Sequence, residues 1–247
     1  MYSFDAEKAA RECCEWIKDW FSRNGQDSPA VVAVSGGKDS SVAAALCCRA
    51  LGRERVIGVL MPRGTQNDID YSYGICEFLK IKYYVINIVA AADAIEEEIE
   101  KAVVLTKQSK VNLPPRIRMS AVYAVSQSVG GRVVNTCNLS EDWVGYSTRW
   151  GDSVGDFSPL SKFTVQEVKA IGRYLGIPCK YIEKAPSDGL SGKTDEDNLG
   201  FTYAELDAYI REGIEPCAEH KARIDDLHRR NLFKLDMMEY FPFDPEK

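Results

Sequence analysis

Two stretches of the chain carry residue types that can do chemistry together. The first is Ser35-Gly-Gly-Lys-Asp-Ser-Ser41, which follows the β-branched run Ala30-Val-Val-Ala-Val34 and passes into Val42-Ala-Ala-Ala-Leu-Cys-Cys48. Read as buried strand, tight turn and helix, it is a cradle for phosphate. Gly36 and Gly37 admit positive φ, so backbone N–H groups can close on a ligand, and the helix start adds unpaired donors and partial positive charge. Ser35, Ser40 and Ser41 add hydroxyls, and Lys38 lies in the same turn. Asp39 decides the kind of phosphate. A carboxylate repels a bare triphosphate and makes sense as a ligand to Mg²⁺ travelling with a nucleotide. The spacing matches neither the common P-loop nor the three-glycine dinucleotide turn.

The second stretch runs from Cys137 to Leu160 and brings Glu141, Asp142, Asp152 and Asp156 together with Arg149, aromatics and glycines. A hydrated loop surface has a similar composition. Glu141 stands out because magnesium bound to a triphosphate takes one or two carboxylates plus waters, so Glu141 can complete the shell begun by Asp39.

The elements that must hold these stretches alternate strand and helix. Strands are expected at 30–34, 53–60, 83–88 and 131–136, and helices at 5–23, 71–79, 91–105, 112–125, 164–175, 202–210 and 216–234, besides the one after Ser41. That order predicts an α/β fold, a doubly wound parallel sheet flanked by helices, in which ligands collect beyond the carboxyl ends of the strands. Both stretches follow strands. So does Met61 to Gln66, where an adenine can sit. In the helix at 91–105, Glu96, Glu97, Glu98 and Glu100 read as a solvated face opposite Ile95, Ile99 and Val103. Arg116 and Arg118 fall just inside an expected helix start, which the helix dipole disfavours unless one of them meets an anion. Residues 184–196, rich in Ser, Gly, Lys and Asp without apolar period, read as a mobile functional loop.

Composition narrows the classes. With 247 residues and 45% apolar content, the chain can bury a sizeable core. A net charge of −6 without a long basic run disfavours sequence-independent nucleic-acid binding, and no apolar run is long enough for a membrane span. The eight cysteines include no C-x-x-C pair, which fits reduced thiols better than disulfides or zinc.

With these residues assembled, the chain resembles the ammonia-dependent NAD synthetases, relatives of the ATP pyrophosphatases whose pyrophosphate loop Ser35-Gly-Gly-Lys-Asp-Ser40 is similar. The resemblance runs from Val31 to about Tyr209. It includes Met61-Pro with Gly64-Thr-Gln66, Asn112 with Arg116-Ile-Arg-Met119, Asn135-Thr136 with Ser140-Glu141, Pro186-Ser-Asp-Gly-Leu190 and Asp195-Glu196. It implies one domain over 1–247 of adenine nucleotide α-hydrolase-like fold, with a core at about 30–210 and a C-terminal helix and tail at 211–247. It further implies that deamido-NAD attacks the α-phosphate of ATP and that ammonia displaces AMP from the acyl-adenylate.

By position, the resemblance gives ATP contacts to Ser35, Gly36, Gly37, Lys38, Asp39, Ser40, Ser41, Met61, Gln66, Thr136 and Ser187. Mg²⁺ goes to Asp39 and Glu141, deamido-NAD contacts to Arg116, Arg149, Asp156 and Lys234, and catalytic roles to Asp39, Glu141, Asp188 and Lys193. A cytoplasmic homodimer is implied, with 116–125 and 143–150 as candidate interface and the 184–196 loop closing over the substrates. The chain departs from many relatives at Leu60 and Val165, where they carry arginine and lysine, and at Phe233-Lys234, where they carry His-Lys.

Two rivals share the loop. A tRNA-thiolating or tRNA-lysidine enzyme calls for a basic surface and, for thiolation, an activated cysteine, with Cys137 the candidate. A non-catalytic nucleotide-binding module has no need of paired Mg²⁺ carboxylates. Because the expected single domain leaves no room for a glutaminase, ammonium should suffice as nitrogen donor and glutamine alone should not. Efficient turnover on ammonium-free glutamine overturns this expectation.

Overall fold

The computed structural model describes residues 2–184, 194–236 and 238–243. Helix α1 (Ala6–Asn24) is capped by the Asp5 side chain, which accepts from Lys8 N–H, and packs Ile17 and Phe21 inward. Strand β1 (Ala30–Ala33) leads into α2 (Lys38–Leu51), and a 3₁₀ turn at Arg53–Arg55 precedes β2 (Val56–Leu60). Then follow α3 (Ile69–Leu79), β3 (Lys82–Val85), α4 (Val89–Glu100), α5 (Lys107–Ser128) and β4 (Arg132–Val134). The described elements after β4 are helices: α6 (Leu139–Val144), α7 (Val165–Tyr174), α8 (Cys179–Ile182), α9 (Asp195–Leu199), α10 (Tyr203–Glu212) and α11 (Ala218–Asn231).

Among the described residues the sheet has four strands, all parallel, in the order β3-β2-β1-β4. From β1 the chain winds outward to β2 and β3, then returns to lay β4 on the other side of β1. The strand order therefore reverses between β1 and β4, and a crevice opens past their carboxyl ends. One face of the sheet packs on α1, α2, α7 and α8 through residues such as Phe21, Leu46, Ile171 and Ile182. The other face packs on α5 through Val31, Val59 and Val122. A third apolar cluster joins α6, α7, α9, α10 and α11 through Val144, Leu199, Leu206 and Ile224.

Several expected boundaries move for physical reasons. β3 ends at Val85 rather than 88, although Ile86 and Ile88 still donate to the carbonyls of Leu60 and Pro62, because Pro62 has no N–H with which to continue the ladder. α4 stops at Glu100, leaving Ile95 and Val103 exposed, and Glu96 binds the Arg63 guanidinium at 2.8 Å instead of facing solvent alone. α5 starts at Lys107 under the Thr106 cap and carries Pro114 and Pro115 in its interior. Arg116 and Arg118 therefore lie roughly two and a half turns or more inside the helix, and the dipole argument for an anion near them does not hold. The last helix spans 218–231 and ends in a 3₁₀ turn at Leu232–Lys234.

Glu167 fastens the N-terminus and α10 to the start of α7. Its carboxylate completes the Thr164 capping box, receives two bonds from Arg211 at 2.7 Å and accepts from the Tyr2 hydroxyl. Burial favours the neutral acid, but the Arg211, Tyr2 and Thr164 donors outweigh it and hold the carboxyl below its ordinary 4.5. The stabilisation is accordingly present above about pH 4.5 and lost as pH falls through the lower folded-state value. Melting curves of the wild type and Glu167→Gln should diverge at neutral pH and converge on acidification. A gap that stays constant down to about pH 3 assigns the effect to packing rather than charge.

Candidate active site

The loop after β1 keeps its shape through its own side chains. Gly36 has φ +73°, and a Cβ there would lie 2.6 Å from Tyr71 and Ser72 at the start of α3, so glycine is required both for conformation and for close packing. Ser35 N–H donates to Ser40 Oγ at 3.2 Å, and Ser41 Oγ donates to the Gly37 carbonyl at 2.7 Å. Ser40 and Ser41 are buried and brace the loop from inside. The first-turn N–H groups of α2, which no helical carbonyl can accept, supply the anion-binding donors.

The loop after β4 is anchored by Asn135, whose amide donates to the carbonyls of Asp152 and Val154 and whose oxygen accepts from Cys137 N–H and Ser158. Asn138 then caps α6 by accepting from Glu141 N–H at 3.0 Å, while its amide donates to Asp39 Oδ1 at 3.0 Å. One buried side chain thus orients both carboxylates. Ser140 and Asp207 of α10 complete the seat: Asp207 accepts from Ser140 Oγ and from Gln166 N–H, and Ser140 accepts from Val165 N–H.

Asp39 and Glu141 meet at the β1/β4 crevice with the Lys38 ammonium between them, 2.8 Å from Asp39 Oδ2 and 3.6 Å from Glu141 Oε1. Burial alone lowers the Lys38 value, but Asp39 and Glu141 outweigh it and hold the ammonium charged. Burial, with Asp39 adding to it, pushes Glu141 up, and the Lys38 ammonium pulls it back toward the carboxylate form. The ring of Tyr203 lies under the ammonium, which is 5.8 Å from the ring centroid, and the Tyr203 hydroxyl is buried without a hydrogen-bond partner among the described residues. A cleft of about 170 Å³ opens from Lys38 and Tyr203 toward Lys169, Lys184, Thr194 and Glu196.

The other expected site residues divide into four groups. Gln66 donates to Asp68, which accepts from Lys184 at 2.6 Å, so the segment after β2 reaches the wall of the same cleft. Met61 is buried in the sheet–α5 core, its carbonyl accepting from Arg118, and Thr136 follows the end of β4. Arg116, Arg149, Asp156 and Lys234 are each bonded within the chain: Arg116 to the Arg149 carbonyl, Arg149 to the Asp236 carbonyl, Asp156 to Val133 N–H, and Lys234 to the Gly145 and Ser147 carbonyls. Ser187, Asp188 and Lys193, and with them most of the expected 184–196 loop, lie outside the described residues.

Sequence reading passed over Asn138, Tyr203 and Lys184. Asn138 had a signal, since Asn three residues before Glu at a strand-to-helix passage marks a cap. Lys184 opens the segment 184–196 read as functional, whereas Tyr203 had no signal, because only tertiary contact brings it to the loop. Asn138→Ala should cost about 1 kcal/mol through the lost cap and weaken nucleotide binding by about tenfold through the lost bond to Asp39. Calorimetric titration alongside melting separates the two effects, and unchanged nucleotide affinity assigns Asn138 to capping alone.

The comparisons agree with this geometry. The family model described as NAD synthase matches residues 9–240. An NH(3)-dependent NAD(+) synthetase of Archaeoglobus fulgidus is 38% identical over 238 residues, which are 94% of this chain and 95% of the relative. Among solved structures, NMN synthetase from Francisella tularensis superposes with a TM-score of 0.90 at 30% identity, covering 98% of this chain and 100% of that one. NH3-dependent NAD synthetase from Campylobacter jejuni, in complex with nitrate, gives 0.78 at 29%, covering 97% and 100%. A parallel sheet with this strand order, a phosphate loop after its central strand and a match across nearly the whole chain lead to one conclusion, that the chain belongs to the NAD synthase family.

Proposed function

We propose that the chain is a carbon–nitrogen ligase that converts deamido-NAD and ammonia to NAD, splitting ATP into AMP and pyrophosphate. The observation that carries this is the meeting of the Ser35–Ser41 loop with Glu141 at the β1/β4 crevice, in a chain of this family. The loop and the start of α2 hold the β and γ phosphates that leave as pyrophosphate. The nicotinate carboxylate and the α-phosphate are both anionic, so their approach needs cations and fixed donors more than it needs an acid or base.

Asp39 and Glu141 fit Mg²⁺. Their hard oxygens already converge on one cation, as suits an ion that takes one or two carboxylates and completes its shell with waters and phosphate oxygens. When bound there, Mg²⁺ would neutralise charge on the departing pyrophosphate. Asn138 holds Asp39 toward that position, and Ser140 with Asp207 fixes the helix turn that presents Glu141.

The thiolation rival loses its nucleophile. Cys137 is buried, and burial, with Asp152 and Glu141 adding to it, drives its thiol far above the usual range. A second reading of the acid substrate has support of its own. The superposition with NMN synthetase is tighter than that with the Campylobacter jejuni NAD synthetase, and Arg149 and Lys234, assigned to the dinucleotide by resemblance, are held by the chain's own carbonyls. The mononucleotide acid is therefore the second substrate to assay.

A two-fold dimer is our reading of the exposed apolar side chains at Trp150, Phe233, Tyr240 and Phe241. Eight free cysteines support a reducing, cytoplasmic setting, and no helix among the described residues is long and apolar enough to cross a membrane.

With ATP, ammonium and deamido-NAD, the protein should release AMP and NAD in equal amounts, and Asp39→Asn and Glu141→Gln should each lower the rate by about a hundredfold or more. Absence of AMP with deamido-NAD but not with nicotinate mononucleotide moves the assignment to the shorter acid. Absence with both rejects the proposal.

A further inference from the structure

Lys38 is a buried lysine, 4% exposed, at the first position of α2. Its ammonium touches Asp39 of its own helix and Glu141 of α6, and lies over the Tyr203 ring of α10. Asp195, at the start of α9, also acts on it. The carboxylate oxygens that would take a divalent ion are thus already neutralised by a cation belonging to the chain. A divalent ion cannot settle on the same oxygens beside a fixed ammonium without strong repulsion, which the low exposure of both carboxylates does little to screen. Lysine is suited to yield the place. Its charge sits on a flexible four-carbon stem with three rotatable donors, and its Cα lies in the first turn of the helix where polyphosphate would bind.

We propose that Lys38 is the resident counter-ion of the Asp39–Glu141 pair and keeps free divalent cations out, so that the metal enters only with a polyphosphate that takes over the ammonium. This rests on the reading of that pair as the Mg²⁺ site. It adds that metal and nucleotide are admitted jointly, and that Lys38 acts first on the carboxylates and then on phosphate. The ligand-free protein is thereby indifferent to Mg²⁺, and a metal ion without its nucleotide does not occupy the phosphate loop.

The test uses the full chain without nucleotide and Mn²⁺ as the probe, with free Mn²⁺ read by electron paramagnetic resonance. Lys38→Gln should bind one Mn²⁺ at least about tenfold more tightly than the wild type, and Lys38→Arg, which keeps the charge, should resemble the wild type. Mg²⁺ alone should raise the melting temperature of Lys38→Gln and leave that of the wild type unchanged. The wild-type arm needs no variant to fold. Tight Mn²⁺ binding or a Mg²⁺-induced rise in its melting temperature overturns the proposal, as does equal Mn²⁺ affinity in Lys38→Gln. If Lys38→Gln takes up Mn²⁺ and adding Asp39→Asn does not remove it, or if neither protein binds Mn²⁺ even with a non-hydrolysable ATP analogue, the pair is not the metal site and both readings fall.

Discussion

The ion cluster of Lys38, Asp39 and Glu141 is the constraint on which the rest of this molecule depends. It joins the carboxyl ends of β1 and β4, where the strand order β3-β2-β1-β4 reverses and two loops diverge from neighbouring strands to leave a crevice. Bringing two carboxylates into so shielded a position is costly unless each is paired and hydrogen-bonded. The chain meets that requirement with one ammonium, the amide of Asn138 and the aromatic face of Tyr203. Among the described residues the Tyr203 hydroxyl in the same cluster has no hydrogen-bond partner.

The helices after β4 exist largely to hold Glu141 where it is. α6 is short, and on its own would not persist in water. Its first turn is fixed by Asn138, Ser140 and Asp207. Its far end is gripped by α11, where His228 stacks on Trp143 and donates from Nδ1 to the Trp143 carbonyl, and Asn231 donates to the Val144 carbonyl. Gly145, at φ +65°, leaves no room for a side chain, since a Cβ there would lie 2.2 Å from Asn231. Lys234 then closes on the Gly145 and Ser147 carbonyls. A basic C-terminal segment thus serves as a clamp on the second loop, and the same contacts keep Arg149 between the Trp150 and Phe233 rings.

The alternation of strands and helices and the glycine turn with its flanking strand and helix were legible in the sequence because each rests on local chemistry. A β-branched run before Ser-Gly-Gly can end only in a tight turn, and an acidic residue in such a turn implies a cation. The helix starts expected at 164 and 202 were legible for the same reason, and the structure opens each with a capping box at Thr164 and Thr202. Local pattern misled where a distant contact decides the outcome. Pro114 and Pro115 read as a helix entrance, yet α5 begins at Lys107 and runs through them, because a favourable Thr106 cap and packing on β1 and β4 outweigh the carbonyls that two prolines leave unpaired. The stripe of α4 failed similarly: Ile95 is exposed and Glu96 is held by Arg63, a residue far off in sequence.

The sequence by itself determined the fold class, the anion-binding loop and the types of group that meet at its mouth, since these follow from the stereochemistry of glycine, the period of apolar residues and the charge of a carboxylate. Only the tertiary structure decided which cation stands between Asp39 and Glu141, that Tyr203 and Lys184 line the cleft, and that Arg116, Arg149, Asp156 and Lys234 are bonded within the chain. These are outcomes of pairing across the sheet and between α6, α10 and α11. Whether a charged side chain reaches a ligand, a carboxylate or a carbonyl is set by distances between elements that no local pattern encodes.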